Sequence, residues 1–199
     1  MKRFFITLMM ASVMLGLSCP VVAQARGEWS VKGGIGWYSI PDFVGALMVG
    51  LGSIDTTEGT TSHSFVPLLN PNVEVHYGIN DWLSLGGSLT VGYASAKSTF
   101  DDTGVLNKSI VAIYPTLCFS AQTRYFSSGK FSMYGSWGVG AMMLVGNQIT
   151  DNSSNNQFGI APMGNAYPLC FSYGGDLGGF LEAGWGAKGL VNIGIYRNF

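Results

Sequence analysis

The stretch that decides the fold is Leu190-Val191-Asn192-Ile193-Gly194-Ile195-Tyr196-Arg197-Asn198-Phe199. Successive side chains of a β-strand point to opposite faces of the sheet, so every second residue shares a face. One face of this stretch therefore carries Val191, Ile193, Ile195 and Phe199. The other face carries small or polar residues and Tyr196. The pattern predicts a β-strand with one apolar and one largely polar face, ending on an aromatic residue.

The composition indicates that the same alternation of apolar and polar residues extends over most of the chain. Charged residues make up 11% of the chain, against roughly 25% in soluble domains, and the mean hydropathy is +0.29. After residue 25 no run of about 18 apolar residues occurs, so the sequence predicts no membrane-spanning helix there. An apolar chain without such a helix favours a membrane β-barrel, with apolar residues toward lipid and small or polar ones toward the lumen. The 29 glycines suit the interior of a narrow barrel.

The N-terminus has the pattern of a secretory signal peptide. Lys2 and Arg3 precede an apolar core of about 14 residues, and Ala23-Gln24-Ala25 supplies a small-x-small cleavage site. We therefore expect a signal peptide at 1–25 and one barrel domain at 26–199. A membrane anchor is the alternative, although the core is shorter than the roughly 20 residues needed to span a bilayer. A lipoprotein cut before Cys19 is a second alternative.

Eight antiparallel strands are predicted after residue 25. Their bounds are Glu28–Tyr38, Pro71–Gly78, Trp82–Ala94, Ser109–Phe126, Phe131–Val145, Ile160–Tyr173, Leu177–Trp185 and Leu190–Phe199. An even number of strands, joined alternately by short turns and longer connections, is typical of outer-membrane barrels, with the short turns facing the periplasm. The fold class is therefore all-β, an eight-stranded antiparallel transmembrane β-barrel with both termini periplasmic.

The connections carry further expectations. The segment Ser39–Pro67 is predicted to be a long connection, in which 41–54 forms either a short helix or a strand extension. The segments 95–107 and 146–157 are predicted to be loops, the latter because it is rich in Asn, Ser and Asp. Pro115 predicts a bulge or irregularity, since proline donates no ladder hydrogen bond. Pro162 and Pro168 predict a less regular sixth strand.

A soluble barrel such as a periplasmic lipocalin-like binder is the alternative architecture. It has the same alternation with opposite polarity, because its apolar residues point inward. A soluble protein of this size carries many more charges on its outer face. The low charge content therefore favours the membrane barrel.

The end of the chain also resembles a known family. Glu182-x-Gly184-x-Gly186, the Gly189-Leu190 step and the Tyr196-to-Phe199 terminus are similar to the ends of small outer-membrane β-barrel proteins of the Bacteroidetes, of OmpA/OmpX-like type without a periplasmic domain. Asn198 makes the terminus differ slightly from the usual Tyr-x-Phe. The resemblance implies the fold and an outer-membrane location. It also implies that Val191, Ile193, Ile195 and Phe199 are part of the signal that the barrel-insertion machinery binds.

The inward faces of the predicted strands hold few charges, and these are the candidate lumen network: Lys32, Glu74, His76, Arg124 and Glu182. A charge in a narrow barrel must be paired, and eight strands leave an interior just wide enough for side chains. A structural network that plugs the lumen is therefore favoured over an ion path or binding site. We expect no enzyme, no catalytic residue, no metal site and no cofactor.

Three roles remain open at this stage. The favoured one is a structural or surface-interaction role through extracellular segments near 55–64 and 146–157, with outer-membrane lipid as partner and an unknown extracellular ligand. A small-solute pore and an outer-leaflet lipid-modifying enzyme, the latter using His63 and Ser64, are the alternatives. The formal net charge of −1, which loss of Lys2 and Arg3 with the signal lowers by two to −3, favours no nucleic-acid partner. Cys118 and Cys170 are expected to be free, buried thiols on strands that are not neighbours.

Overall fold

The computed structural model describes residues 27–40, 42, 62–65, 69–99, 106–150 and 153–199. The expected signal peptide with Ala23 and Ala25, and nearly all of the 41–54 segment, lie outside these residues. The strands are β1 Trp29–Trp37, β2 Ser62–Phe65, β3 Asn70–Gly78, β4 Leu83–Thr99, β5 Leu106–Ser128, β6 Phe131–Thr150, β7 Ser153–Gly174, β8 Leu177–Trp185 and β9 Val191–Asn198.

Eight of these strands close into an antiparallel barrel. The order of neighbours is β1, β9, β8, β7, β6, β5, β4 and β3, and β3 pairs with β1 to close the ring. The short strand β2 pairs with residues 96–99 of β4, on the same side as β3 and in the same direction. The predicted eight-stranded barrel is therefore confirmed, with β2 as an addition that the sequence did not predict.

The predicted side-chain polarity is found in the described strands. Outward residues such as Leu117, Val139 and Ile193 are 66%, 70% and 62% exposed, whereas Lys32, Glu74 and Glu182 on the inner face are 5%, 0% and 0% exposed. Arg197 is the one charged side chain on the outward faces of the strands, within the part whose side chains the structure describes. This arrangement excludes the lipocalin-like alternative, in which apolar residues fill the interior.

Two of the predicted loops are wrong in the part that the structure describes. Residues 95–99 belong to β4, and residues 146–150 and 153–157 extend β6 and β7 as one long hairpin, register Gly146↔Gln157 to Thr150↔Ser153. Alternation is expected only where one face of a strand is apolar, so a strand made of polar residues has a sequence that resembles a loop. Its backbone hydrogen bonds to the neighbouring strand nevertheless continue.

The prolines and one of the turns affect the strand register and the backbone hydrogen bonds locally. Across Pro115 the register with β4 is continuous, so there is no bulge on that side. Tyr114 and Pro115 have no partner on β6, which is the local irregularity that was the other expectation. The register with β8 shifts between Ala166 and Leu169, beside Pro168, as expected. Across Pro162 the register with β6 is continuous, so this second proline does not disturb the strand pairing. In the turn between β3 and β4, Asn80 Oδ1 accepts hydrogen bonds from the backbone N–H groups of Trp82 and Leu83, at 3.1 and 2.8 Å.

The barrel has two unequal ends. The terminal end carries Trp29, Phe199 and the three short turns at 79–82, 129–130 and 175–176, and the loop end is the opposite one. β1, β3, β8 and β9 have 8 or 9 residues, whereas β4 to β7 have 17 to 23. The four long strands form a tall wall that rises past the others at the loop end.

Candidate functional site in the barrel lumen

Four buried charges meet in the lumen, and we refer to Lys32, Glu74, Glu182 and Lys188 as the lumen cluster. Lys188 Nζ lies 2.7 Å from Glu74 Oε1 and 2.5 Å from Glu182 Oε2. Lys32 Nζ lies 3.6 Å from Glu182 Oε1. The cluster thus pairs two ammonium groups with two carboxylates and carries no net charge when all four are ionised.

Neutral side chains satisfy the remaining lone pairs of Glu182. The hydroxyl of Tyr134 donates to Glu182 Oε1 at 2.9 Å and accepts from Lys32 Nζ at 2.9 Å. Asn192 Nδ2 donates to Glu182 Oε2 at 3.0 Å. Both ammonium groups also lie over aromatic rings, Lys32 over Tyr134 at 4.1 Å and Lys188 over Tyr167 at 4.5 Å. Such contacts compensate the loss of water around a buried ammonium group.

His76 extends the cluster toward β5. Its Nε2 lies 3.0 Å from Glu74 Oε2 and 3.2 Å from the side-chain amide of Gln122. Because an ionised carboxylate only accepts hydrogen bonds, Nε2 carries the proton that points to Glu74. His76 therefore donates to Glu74 and holds the carboxylate in place. Gln122 Nε2 is itself a donor, so its 3.2 Å approach to the same ring nitrogen is a polar contact and not a second hydrogen bond.

Lys188 was not among the residues predicted to face the lumen, because it lies in the connection 186–189 between the predicted strands Leu177–Trp185 and Leu190–Phe199. The connection folds into the lumen, and Lys188 is 2% exposed. Burial by itself lowers the pKa of Lys188, but Glu182 and Glu74 outweigh this effect and hold the pKa above its ordinary value, so the side chain is cationic. The period-2 pattern does not apply outside a strand, and a lysine in a short connection usually faces water.

Tight backbone contacts hold this connection in place. The backbone N–H of Ala187 donates to Asn165 Oδ1 at 2.7 Å, and that of Leu190 donates to the carbonyl of Trp37 at 2.9 Å. A Cβ added to Gly36 would coincide with the carbonyl oxygen of Lys188. Gly189 has φ +112°, a conformation that favours glycine. Gly36 and Gly189 thus let the connection approach the barrel wall.

Asp42 is a second buried acid that the sequence analysis did not select. It is 0% exposed. Its carboxylate accepts hydrogen bonds from the backbone N–H of Ser39 at 2.7 Å, from Asn70 Nδ2 at 3.0 Å and from the hydroxyl of Tyr114. Segments from two connections at the loop end therefore place charged side chains inside the barrel.

A cavity of about 570 Å³ lies in the part of the lumen nearest the terminal end. Lys32 and Tyr134 of the cluster region contribute to its lining, and Glu28, Asp81 and Asp176 line it from the turns and the start of β1. Arg124, which was predicted to belong to the lumen network, lines this cavity as well. The structure therefore brings Lys32, Glu74, His76 and Glu182 together and places Arg124 in the cavity wall.

The described residues offer few other groups that could form a metal site, a disulfide or a catalytic site. No group of three or more His, Cys, Asp or Glu side chains there could hold a metal ion. Cys118 on β5 and Cys170 on β7 are free and buried, with β6 between them, as expected. His63 and Ser64 lie on β2, opposite Ser98 and Lys97. The described part of the chain contains no helix of the length and apolarity needed to span a membrane.

The Glu-x-Gly-x-Gly motif has a structural explanation. Glu182 faces the lumen cluster, whereas a Cβ at Gly184 would collide with the backbone of Ala166 and Tyr167. A Cβ at Gly186 would collide with Asn165, the residue that binds the inward connection. The motif thus joins one buried acid to two positions where β7 and the connection approach closely.

Comparison with known proteins gives structural similarity without sequence relatives. No protein-family model and no curated protein sequence matches the chain. The N-terminal β-barrel domain of Pseudomonas aeruginosa OprF is similar in structure, with 13% identity and a TM-score of 0.47, over 88% of this chain and 100% of that one. Ail, the attachment invasion locus protein of Yersinia pestis, has 13% identity and a TM-score of 0.45, over 87% and 99%. The outer membrane protein OprG from Pseudomonas aeruginosa has 12% identity and a TM-score of 0.45, over 90% and 99%.

Proposed function

We propose that this chain is a bacterial outer-membrane barrel that does not conduct solutes and that acts through the tall wall at its loop end. The observation that carries the proposal is the inverted polarity, with apolar side chains outside and a paired charge cluster inside. On the short side the outward apolar run extends from Trp29 to Trp37. Nine residues span roughly 27 Å along the strand and about 20 Å along the axis of a barrel with tilted strands. That height is close to the apolar band of about 25 Å in membrane barrels.

Aromatic side chains support the same placement. Trp37 and Trp185 are exposed at the loop-end limit of the short strands, and Trp29, Trp82, Tyr173 and Phe199 are exposed near the terminal end. Aromatic girdles at both interfaces are typical of outer-membrane barrels. Outer-membrane lipid is the partner that such a surface fits.

A non-conducting lumen follows from the cluster and the inward connection. Lys188 and the backbone of 186–190 occupy the lumen above the cavity, and the four charges neutralise one another. Solutes can pass only if this connection leaves the lumen or if water enters the lumen cluster. The cavity at the terminal end is then a blind vestibule, and the protein has no catalytic role in this proposal.

The orientation follows the usual rule for these barrels, with the termini and short turns in the periplasm and the tall wall outside the cell. On this view residues 1–25 are a cleaved signal peptide. Val191, Ile193, Ile195 and Phe199 then form the segment that the insertion machinery binds. The Glu-x-Gly-x-Gly motif supports a relationship to the small Bacteroidetes barrels.

Two measurements test the barrel and its lumen. The full chain is expressed, and its outer-membrane fraction is run boiled and unboiled on SDS gels; a faster unboiled band shows a closed barrel. The unboiled protein is then added to planar lipid bilayers. We expect conductance no greater than that of protein-free bilayers, whereas stepwise openings by heat-modifiable protein identify a pore and overturn the plug.

Orientation and exposure are tested by labelling in intact cells with a membrane-impermeant maleimide. Gln157→Cys lies on β7 near the tip of the tall wall, and Asp176→Cys lies in the turn at the terminal end. We expect labelling of Q157C in intact cells and labelling of D176C only after the outer membrane is permeabilised. The opposite result shows that the tall wall faces the periplasm.

A further inference from the structure

The tall wall carries an apolar surface higher than the membrane band explains. Five outward residues form what we call the upper apolar patch: Ile113, Met143, Val145, Phe158 and Ile160. Their exposed fractions are 46%, 43%, 52%, 69% and 66%. In the sheet register Val145 faces both Ile113 and Phe158, and Met143 faces Ile160. The five side chains are therefore neighbours on one face of three adjacent strands.

The register places this patch beyond the loop-end girdle. Ala166 of β7 pairs with Trp185, the last residue of β8. Ile160 and Phe158 lie six and eight residues further along β7. At about 3.3 Å per residue and a strand tilt near 40°, they stand roughly 15 to 20 Å above Trp185 along the barrel axis. If the girdle marks the membrane interface, as the proposed function requires, the patch lies in water.

We propose that the upper apolar patch is an interface with a second copy of this chain. A contiguous exposed apolar patch marks an interaction site. The patch contains no charged residue, so two identical patches do not repel each other. Membrane insertion gives every copy the same orientation and height, so the patch of one barrel meets the same patch of another across a two-fold axis parallel to the barrel axes.

The geometry and the area both permit this pairing. A two-fold axis along the membrane normal makes strands tilted by about 40° cross at roughly 80°, which is close to the orthogonal mode of sheet packing. The five side chains offer on the order of 500 Å² per copy, so that two copies bury about 1,000 Å², near the lower limit of a specific interface. The exposed wall below the patch, with Leu117 and Val139, continues the contact into the lipid-facing region.

The test uses matched single cysteines on opposite sides of the barrel. Ile160→Cys lies in the patch on β7. Ile35→Cys lies on β1, which is three places from β7 in the eight-membered ring and opposite β6, the central strand of the patch. Membranes containing the full chain are treated with a short bismaleimide. Each yield is divided by the labelling of the same variant with a monofunctional maleimide, because the thiolate that reacts forms less readily against lipid than in water. We then expect about tenfold more cross-linked dimer from I160C than from I35C, because a surface near a two-fold axis meets its own copy at high effective concentration. The wild-type chain controls for Cys118 and Cys170.

Lipid contact is measured on the same variants. A fluorophore attached at each cysteine is exposed to lipids that carry quenchers on their acyl chains, after heat-modifiable mobility has shown that the variant is folded. We expect quenching at I35C and little at I160C. Equal quenching at both positions overturns the dimer because lipid then covers the patch. Equal cross-linking overturns it as well, because the patch then has no preferred partner. Absence of quenching at I35C overturns the proposed membrane barrel itself, so the two failures are distinguishable.

Discussion

Replacing Lys188 by methionine tests the lumen cluster most directly. Methionine keeps much of the length and volume of lysine and removes the ammonium group that lies 2.7 Å from Glu74 and 2.5 Å from Glu182. Of the two ammonium groups in the lumen cluster only Lys32 then remains, 3.6 Å from Glu182, while His76 still donates a hydrogen bond to Glu74. The variant therefore leaves an uncompensated negative charge in the lumen.

The expected cost is large because the site is almost fully buried. Lys188 is 2% exposed, and Glu74 and Glu182 are 0% exposed. Removing one partner of a buried ion pair costs about 3–5 kcal/mol, since the other charge remains without compensation. For a urea dependence of about 2 kcal/mol per molar, the unfolding midpoint falls by roughly 2 M.

Urea unfolding of the protein in lipid vesicles, followed by tryptophan fluorescence, measures this shift. Lys130→Met, in the exposed turn between β5 and β6, is the control and should change the free energy of unfolding by less than about 0.5 kcal/mol. Adding Glu182→Gln to K188M removes the excess charge and should recover about half of the loss. A K188M variant within about 1 kcal/mol of the wild type, or a double variant less stable than K188M, refutes the reasoning.

Two further substitutions test the packing of the inward connection and the lipid-facing surface. Gly36→Ala should destabilise by about 1–3 kcal/mol because its methyl group overlaps the Lys188 carbonyl. In contrast, Gly33→Ala, with nothing within 4 Å, should be neutral; equal effects in urea unfolding contradict the inward placement. Ile195→Arg, midway along β9, should cost about 2–4 kcal/mol and Val191→Arg, near the interface, about 0–1; equal costs in vesicles argue against lipid contact.

The barrel strands and their polarity could be predicted well from the sequence where one face is apolar. Leu177–Trp185 has the predicted bounds, and Lys32, Glu74, His76 and Glu182 all lie on the inner face. The reason is that side chains alternate between the two faces of a strand. Once one face is known to be covered by an apolar medium, the alternation determines the face of every residue. Low charge content then decided which face was outward.

The upper part of the tall wall could not be predicted in the same way. Residues 146–157 are polar at almost every position, and a polar sequence without alternation resembles a loop. Pairing between β6 and β7 continues there because the hairpin forms its own backbone hydrogen bonds. The extension is therefore a consequence of strand pairing, which the period-2 pattern of side chains does not reveal.

By itself the sequence determined the fold class, the inverted polarity and most of the acids and bases in the lumen, since these depend on alternation along single strands. Only the tertiary structure decided that Lys188 and Asp42 enter the barrel from connections and that Arg124 lines the cavity on the terminal side of the lumen cluster. It also decided that the patch around Phe158 stands above the girdle. These features depend on which strands are neighbours, where each strand stops and where a connection turns inward, and such relations join residues far apart in the chain.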